Sequence, residues 1–118
     1  MNTKELINII KTTPTEVVFD QVIAVIENDY DYTATQFYNG LGEKEVVNEA
    51  GTNEGSCKIF AFADINDLNE SQTLSCFGKY YRQDVLGNLG GTDHENIRNF
   101  MKFGWEGLHF DNPPLAVK

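Results

Sequence analysis

Residues 57–68, which read CKIFAFADINDL, set the balance between helix and strand in this chain. Within this run, Phe60-Ala61-Phe62-Ala63 alternates as a strand does, whereas Ile59, Phe62 and Ile65 also fall on one face of a helix. The length of the run and its two alanines favour a helix that starts near Ser56. We therefore predict a helix here, preceded by a turn at 53–56.

Two helices are predicted on the N-terminal side of this run. Apolar residues at helical spacing predict the first, from Thr3 to about Lys11. Residues 13–16, Thr-Pro-Thr-Glu, have the composition of a helix start, because the first threonine can cap, the proline suits the first turn and the glutamate completes a capping box. Since an apolar stripe follows, we predict a second helix over 14–28.

Two more helices are predicted on the C-terminal side. The first starts at Asn69-Glu70-Ser71-Gln72 and stops near Leu86, because glycines follow at 87, 90 and 91. Residues 92–95, Thr-Asp-His-Glu, form a second capping box. The buried stripe that follows predicts a last helix, which ends near Gly104.

The remaining segments predict short strands. Aromatic and β-branched residues between Tyr30 and Asn48 indicate two strands that flank a loop at 39–44. Trp105 to Phe110 can add a third strand, and the proline-containing end at 111–118 is predicted to be a frayed tail. The chain is therefore expected to be one α+β domain over 1–118, mostly helical, with about five helices and a small antiparallel sheet of two to three short strands.

The charge of the chain argues against two kinds of partner. Eighteen acidic and nine basic residues give a net charge of −9, and no basic run interrupts them. Because nucleic acids and anionic membrane surfaces attract clustered Lys and Arg, we expect neither as a partner. A protein or a small molecule remains open as a partner, and so does the oligomeric state.

The compartment is predicted from what the sequence lacks. No apolar segment approaches the length needed to span a bilayer, and the first residues do not resemble a secretory signal peptide. Cys57 and Cys76 are too few for a disulfide scaffold, so both are expected to be reduced thiols in a cytoplasm.

Cys57 and His94 are the candidate catalytic residues, although no complete catalytic motif is present. Cys57 would lie in the first turn of the helix predicted from Ser56, where the helix dipole and Lys58 would favour a thiolate. His94 lies at the start of the last predicted helix and could serve as its base. The alternative is that Cys57 is a core residue and that His94 belongs to the capping box.

A binding site is predicted where three segments could approach one another: the 53–58 turn, the 80–82 segment and the start of the last helix. Such element ends allow polar side chains to converge without disrupting a core. The arginines could instead form structural ion pairs with acids such as Asp84 or Glu95. No metal site and no cofactor is expected, because Asp93, His94 and Glu95 would fan out around a helix. The candidate binding residues are Asn53, Glu54, Ser56, Lys58, Tyr80, Arg82, Asp93, Asn96 and Arg98.

Several of these runs resemble the HopJ type III effector family. The longest is NEAGTNEGSCKIFAFA at 48–63, and shorter matches lie at 77–86, 91–94, 96–101 and 104–105. The resemblance implies a relation to proteins that type III secretion delivers into host cells. It implies no catalytic residues, because the family has no recognised catalytic motif. Two functions therefore stay open: a non-enzymatic binding domain, or a small enzyme that uses Cys57 with His94.

Overall fold

A computed structural model describes all 118 residues, Met1–Lys118. Five α-helices and five short strands form one α+β domain that is mostly helical, as predicted. One further helical segment, Tyr80–Val85, has π-helical geometry. The α-helices are α1 Thr3–Thr12, α2 Phe19–Asp29, α3 Glu54–Ile65, α4 Glu70–Ser75 and α5 Glu95–Phe103. The strands are β1 Tyr30–Tyr32, β2 Phe37–Asn39, β3 Val46–Asn48, β4 Leu108–Phe110 and β5 Leu115–Val117.

The run at 57–68 is helical in its main part, which confirms the prediction. It forms most of α3, and the consecutive residues 59–63 are all buried. A helix that is apolar all round must lie inside the molecule. Aromatic side chains from three other elements surround its Phe60: Phe37, Phe77 and Phe100, with ring centroids 4.9–6.3 Å away.

The strands form two small antiparallel sheets. The three-stranded sheet has the order β3-β2-β4, and it contains the two strands predicted around the loop at 39–44. Strand β4 pairs with β2 alone. The segment predicted as a strand from Trp105 is strand only from Leu108, because Gly104–Gly107 forms a 3₁₀ turn.

The prediction of a frayed tail at 111–118 is wrong. Residues Leu115–Val117 form β5, which pairs with β1 in the second sheet, and the Leu115 side chain is buried. The physical reason lies in the two prolines before it, because Pro113 and Pro114 disfavour helix and keep the chain extended. The extended chain leads directly into the pairing with β1, and the carbonyl oxygen of Pro114 accepts a hydrogen bond from the Thr33 N–H at 2.8 Å.

The helix predicted over 14–28 begins later than the sequence suggested. Pro14–Glu16 forms a single 3₁₀ turn, and the Thr13 side chain makes no capping hydrogen bond. Val17 is fully buried in an extended conformation, and α2 begins only at Phe19. Burial of this β-branched side chain outweighs the local start signal.

The helix predicted over 69–86 is interrupted. It begins as predicted, with a capping box between Asn69 and Gln72, but α4 ends at Ser75. Gly78 then adopts a φ of +59°, a left-handed conformation that breaks the helix. A β-carbon at this position would lie 2.9 Å from the backbone nitrogen of Phe19, so the break lets α2 approach closely.

A second glycine, Gly104, gives a testable prediction about the end of α5. Its backbone angles, φ 60° and ψ −152°, are almost restricted to glycine, and a β-carbon would overlap the Glu70 carboxylate. That carboxylate accepts a hydrogen bond from the Trp105 N–H at 3.0 Å. We expect Gly104→Ala to lower the free energy of unfolding by about 2–4 kcal/mol in urea denaturation.

The matched control for this substitution is Gly90→Ala. A β-carbon at Gly90 would meet no atom within 4 Å, and its φ is ordinary. This change should alter stability by less than about 0.5 kcal/mol. Equal effects of the two substitutions would contradict a special role for the Gly104 conformation.

Candidate functional site

A cleft of about 450 Å³ brings together parts of all three segments that the sequence analysis expected to converge. We call it the polar cleft. Its side chains come from the start of α3, the π-helical segment, the start of α5 and the beginning of α2. The residues that define it are Phe19, Asn53, Ser56, Tyr80, His94 and Asn96.

Two helices begin at this cleft, and both start in the same unusual way. Asn53 precedes α3 with a φ of 50°, and His94 precedes α5 with a φ of 51°. Neither side chain caps its helix, so the capping box predicted at 92–95 is wrong. A residue in the left-handed conformation turns its side chain away from the first helical turn that a cap must reach.

Because side-chain caps are absent, backbone donors remain free along the cleft. The N–H groups of Gly55, Ser56, Glu95 and Asn96 have no acceptor within the chain. The first N–H groups of a helix carry partial positive charge and favour oxygen-rich ligands. The floor of the cleft therefore offers donors, although the Glu95 side chain adds a negative charge beside them.

Buried asparagines support the cleft from below. The Asn96 side chain donates to Asn48 Oδ1 at 2.8 Å and accepts from the Asn39 amide at 3.0 Å. Asn48 Oδ1 also accepts from the Asn53 side chain at 2.7 Å. This asparagine network, Asn39, Asn48, Asn53 and Asn96, ties the β2–β3 hairpin to the starts of α3 and α5. It holds the cleft in one geometry, because the three buried amides of Asn39, Asn48 and Asn96 depend on one another, and the exposed Asn53 is attached to them through Asn48.

An aromatic wall forms another side of the cleft. The Tyr80 ring lies edge to face against Phe19, with centroids 5.1 Å apart, and 5.4 Å from the His94 ring. The Nε2 atom of His94 lies 3.0 Å from a carboxylate oxygen of Asp84. The imidazole is therefore oriented from two sides while it remains partly exposed, with 29% of its side chain accessible.

The hypothesis of a reactive Cys57 thiolate is wrong. Its side chain is buried within α3, only 1% exposed, and burial raises the pKa of the thiol to about 11. The helix begins at Glu54 rather than Ser56, so Cys57 is its fourth residue, where burial outweighs the helix dipole. A neutral enclosed thiol cannot act as the nucleophile that the sequence suggested.

The charged residues of the predicted site lie outside the cleft lining, and Lys58, Arg82, Asp93 and Arg98 have structural partners. Lys58 lies 3.7 Å from Glu27 and 4.8 Å from the centre of the Tyr32 ring. Arg82 donates to the carbonyl oxygen of Val17 at 2.6 Å. The predicted pairing of the arginines with Asp84 or Glu95 is therefore wrong for Arg82, which binds backbone carbonyls.

Arg98 also acts structurally. It donates to Asp93 Oδ1 at 2.6 Å and to the carbonyl oxygen of Asn88 at 2.9 Å, which holds the 88–93 loop. The same guanidinium lowers the pKa of the Asp93 carboxyl below its usual value. Of the nine predicted binding residues, Asn53, Ser56, Tyr80 and Asn96 line the cleft, whereas Glu54, Lys58, Arg82, Asp93 and Arg98 do not.

Sequence reasoning missed Phe19, Asn39 and Asn48. Phe19 looked like an ordinary core residue of a helix, and Asn39 looked like part of an Asn-Gly turn. The one signal that could have pointed to the two asparagines is that each of them ends a strand of the hairpin. No group of three or more His, Cys, Asp or Glu side chains is arranged to hold a metal ion.

Both thiols are expected to be unreactive in the folded protein. Cys76 is fully buried, and burial raises the pKa of its thiol to about 12. Because thiol–disulfide exchange requires an accessible thiolate, a disulfide reagent at about pH 8 should modify neither cysteine until the chain is unfolded. Fast modification of one thiol in the native protein would contradict this burial.

The same thiols predict a loss of stability in alkali. In the unfolded chain a thiol ionises near pH 8.5–9, whereas burial holds the native pKa values at about 11 and about 12. Between these limits only the unfolded state releases the protons, so the unfolding free energy should fall by up to about 1.4 kcal/mol per pH unit for each thiol. The doubly substituted variant Cys57→Ala/Cys76→Ala should show a shallower decline in urea denaturation above about pH 9. An unchanged slope would show that the two buried thiols do not cause the loss of stability.

Comparison with known proteins places the chain in a family. The family model described as "HopJ type III effector protein" matches residues 3–115. No curated protein matches the chain. The chain is similar to a solved structure described as the crystal structure of unknown function protein VPA0580, with 43% sequence identity and a TM-score of 0.95. The alignment covers 100% of this chain and 95% of the other chain. None of the helices is both long enough and apolar enough to cross a bilayer. The chain belongs to the HopJ type III effector protein family.

Proposed function

We propose that the protein is a non-enzymatic binding domain that holds a small ligand in the polar cleft. The observation that carries this proposal is the convergence of polar side chains from separate segments, Asn53 and Ser56, Tyr80, and His94 and Asn96, in one cleft of about 450 Å³. Ligand sites are typically clefts of about 300–1,000 Å³ with a few convergent polar groups.

The lining of the cleft defines the chemistry of the ligand. The free N–H groups at the starts of α3 and α5 suit a phosphate or carboxylate. The Phe19 and Tyr80 rings suit a flat apolar group next to it. We therefore expect a small molecule that carries both an anionic group and a ring. The asparagine network supports tight positioning, because the cleft is already formed without the ligand.

The test uses phenyl phosphate as a probe that combines these two groups. In a ¹⁵N–¹H NMR titration, the amide signals of Gly55, Ser56, Glu95 and Asn96 should shift together. His94→Asn removes the imidazole but keeps a residue that tolerates the left-handed conformation. This substitution should weaken binding by about three- to tenfold, the effect of one lost polar contact.

The matched control is His109→Asn, which changes the other histidine of the chain, outside the cleft. This variant should bind the probe as the wild type does. Shifts that cluster elsewhere, or an equal loss of binding in both variants, would overturn the proposal.

A catalytic role for His94 is the second candidate function. The observation that favours it is the Asp84 carboxylate at 3.0 Å from Nε2, an arrangement that orients an imidazole for proton transfer. The same samples decide between the two functions. Phenol release from phenyl phosphate that Asp84→Asn abolishes would favour an enzyme, whereas binding without turnover favours the binding domain.

We also propose that the protein works in the bacterial cytoplasm and that related family members reach host cells by type III secretion. The two free, buried cysteines support the first part, because they are compatible with a reducing compartment. The description of the family supports the second. Immunoblots of cytoplasmic, periplasmic and culture-supernatant fractions, for this protein and for a family member from a strain with a type III secretion system, test both parts. Protein found only in the periplasm would contradict the first part, and a family member that never reaches the supernatant would contradict the second.

A further inference from the structure

A second groove, of about 640 Å³, lies between the end of α3 and the 105–115 segment. We call it the β4 groove. Its apolar surface comes from Ala61, Leu68, Trp105, Leu108 and Leu115. The Trp105 ring is fixed in place, because its Nε1 donates to the carbonyl oxygen of Leu68 at 3.2 Å. The groove shares no lining residue with the polar cleft.

A free strand edge borders this groove. Strand β4 pairs only with β2. Two hydrogen bonds, from the Gly40 N–H to the Gly107 oxygen and from the Asp111 N–H to the Gln36 oxygen, show which residues of β4 turn their backbone groups toward β2. In an antiparallel pair, residues 107, 109 and 111 then face β2, so the backbone groups of Leu108 and Phe110 point away from it. The Leu108 N–H bonds to the Trp105 oxygen, which leaves the Leu108 carbonyl and both backbone groups of Phe110 without a partner.

These unpaired groups have the spacing of a β-ladder. An extended peptide can add to such an edge, with backbone hydrogen bonds for affinity and alternate side chains for specificity. Leu108 and Phe110 both line the groove, so a strand added here would place every second side chain on its apolar surface.

The charge of the rim defines the partner. The carboxylates of Asp64, Asp67 and Asp111 line the groove, and none of them is in an ion pair. No Lys or Arg lines it, and His109 is its one basic side chain. In a chain of net charge −9, this rim attracts basic side chains and repels acidic ones.

We propose that the β4 groove binds a basic, extended segment of a partner protein, which adds to β4 as a new strand. Apolar side chains of the segment occupy the groove, and its long Lys or Arg side chains extend over the rim toward the Asp64, Asp67 and Asp111 carboxylates. This proposal does not depend on the polar cleft.

The test uses a short fluorescein-labelled peptide that alternates lysine and valine. Fluorescence polarisation should show saturable binding that weakens with added salt, and the Phe110 amide signal should shift in NMR spectra. A peptide that alternates glutamate and valine should not bind. N-methylation of the backbone nitrogens on one edge of the lysine peptide, which blocks the ladder bonds, should reduce its binding by at least about tenfold.

Matched variants of the protein separate the groove from general charge attraction. The triple variant Asp64→Asn/Asp67→Asn/Asp111→Asn should bind the lysine peptide about tenfold more weakly. The control, Asp31→Asn/Glu43→Gln/Glu45→Gln, changes the net charge equally at exposed positions outside the groove and should stay within about twofold of the wild type. His94→Asn should have no effect, so this test and that of the polar cleft fail independently. Absent binding, equal loss in both triple variants, or indifference to N-methylation would overturn the proposal.

Discussion

Replacing Phe60 with alanine should lower the free energy of unfolding by about 3–5 kcal/mol. The Phe60 side chain is fully buried in α3 and contacts aromatic rings from β2, the turn after α4, and α5. These rings belong to separate elements and cannot collapse together into the space that alanine would leave. The loss therefore includes both the transfer of the ring and the cavity. Urea denaturation monitored by circular dichroism measures the effect.

The control for this substitution lies on the same helix. Ile65 is 44% exposed, so Ile65→Ala removes a similar apolar side chain with little loss of burial. It should cost less than about 1 kcal/mol. If Phe60→Ala cost no more than Ile65→Ala, the central position of α3 in the core would be wrong.

Replacing Asn96 with alanine should lower the free energy of unfolding by about 2–4 kcal/mol, although the residue is polar. Its amide accepts from Asn39 and Asn48 and donates to Asn48 Oδ1. Alanine would remove these three buried hydrogen bonds at once, at about 1 kcal/mol for each. The bonds that remain are those from Asn53 to Asn48 Oδ1 and from the Asn39 and Asn48 amides to backbone carbonyls. The Oδ1 atom of Asn39 already lacks a donor within the chain, so the buried network is incompletely satisfied before any substitution.

The corresponding control is Asn8→Ala. Asn8 is exposed on α1, and its side chain makes no hydrogen bond. This substitution should be neutral or stabilise the helix slightly, because alanine is the better helix former. The Asn96 variant should also broaden the NMR signals of the polar cleft, since the starts of α3 and α5 lose their common support. Sharp, unshifted cleft signals in that variant would contradict the supporting role of the network.

The elements that were predicted correctly depend on local signals. The Asn69–Gln72 capping box and the apolar periodicity of α1 and α5 act within one or two turns, so they can be recognised from the sequence. Errors arose where contacts from distant residues outweigh local ones. Val17 is held extended by burial, and Gly78 breaks a helix because α2 lies against it. Neither neighbour is visible from the local sequence.

In the candidate site, too, local signals were recognised from the sequence and contacts between distant residues were not. The approach of the 53–58, 80–82 and 93–98 segments was predicted because each lies at an element end. The inward position of Asn39 and Asn48 was not, since their side-chain partner Asn96 is far away in sequence. Cys57 was misplaced because a shift of the helix start by two residues moves a first-turn side chain into the core.

The pairing of the central strand β2 has a consequence for synthesis on the ribosome. The β2–β3 hairpin can form early, but the other edge of β2 must wait for β4, and β1 must wait for β5. During translation, the edges of β1 and β2 therefore stay exposed until residues 108–117 have left the exit tunnel. Unpaired edges of this kind favour association between nascent chains. A translation pause or a nonsense codon before residue 108 should thus leave a species that needs a chaperone, even though most of its helices are already made.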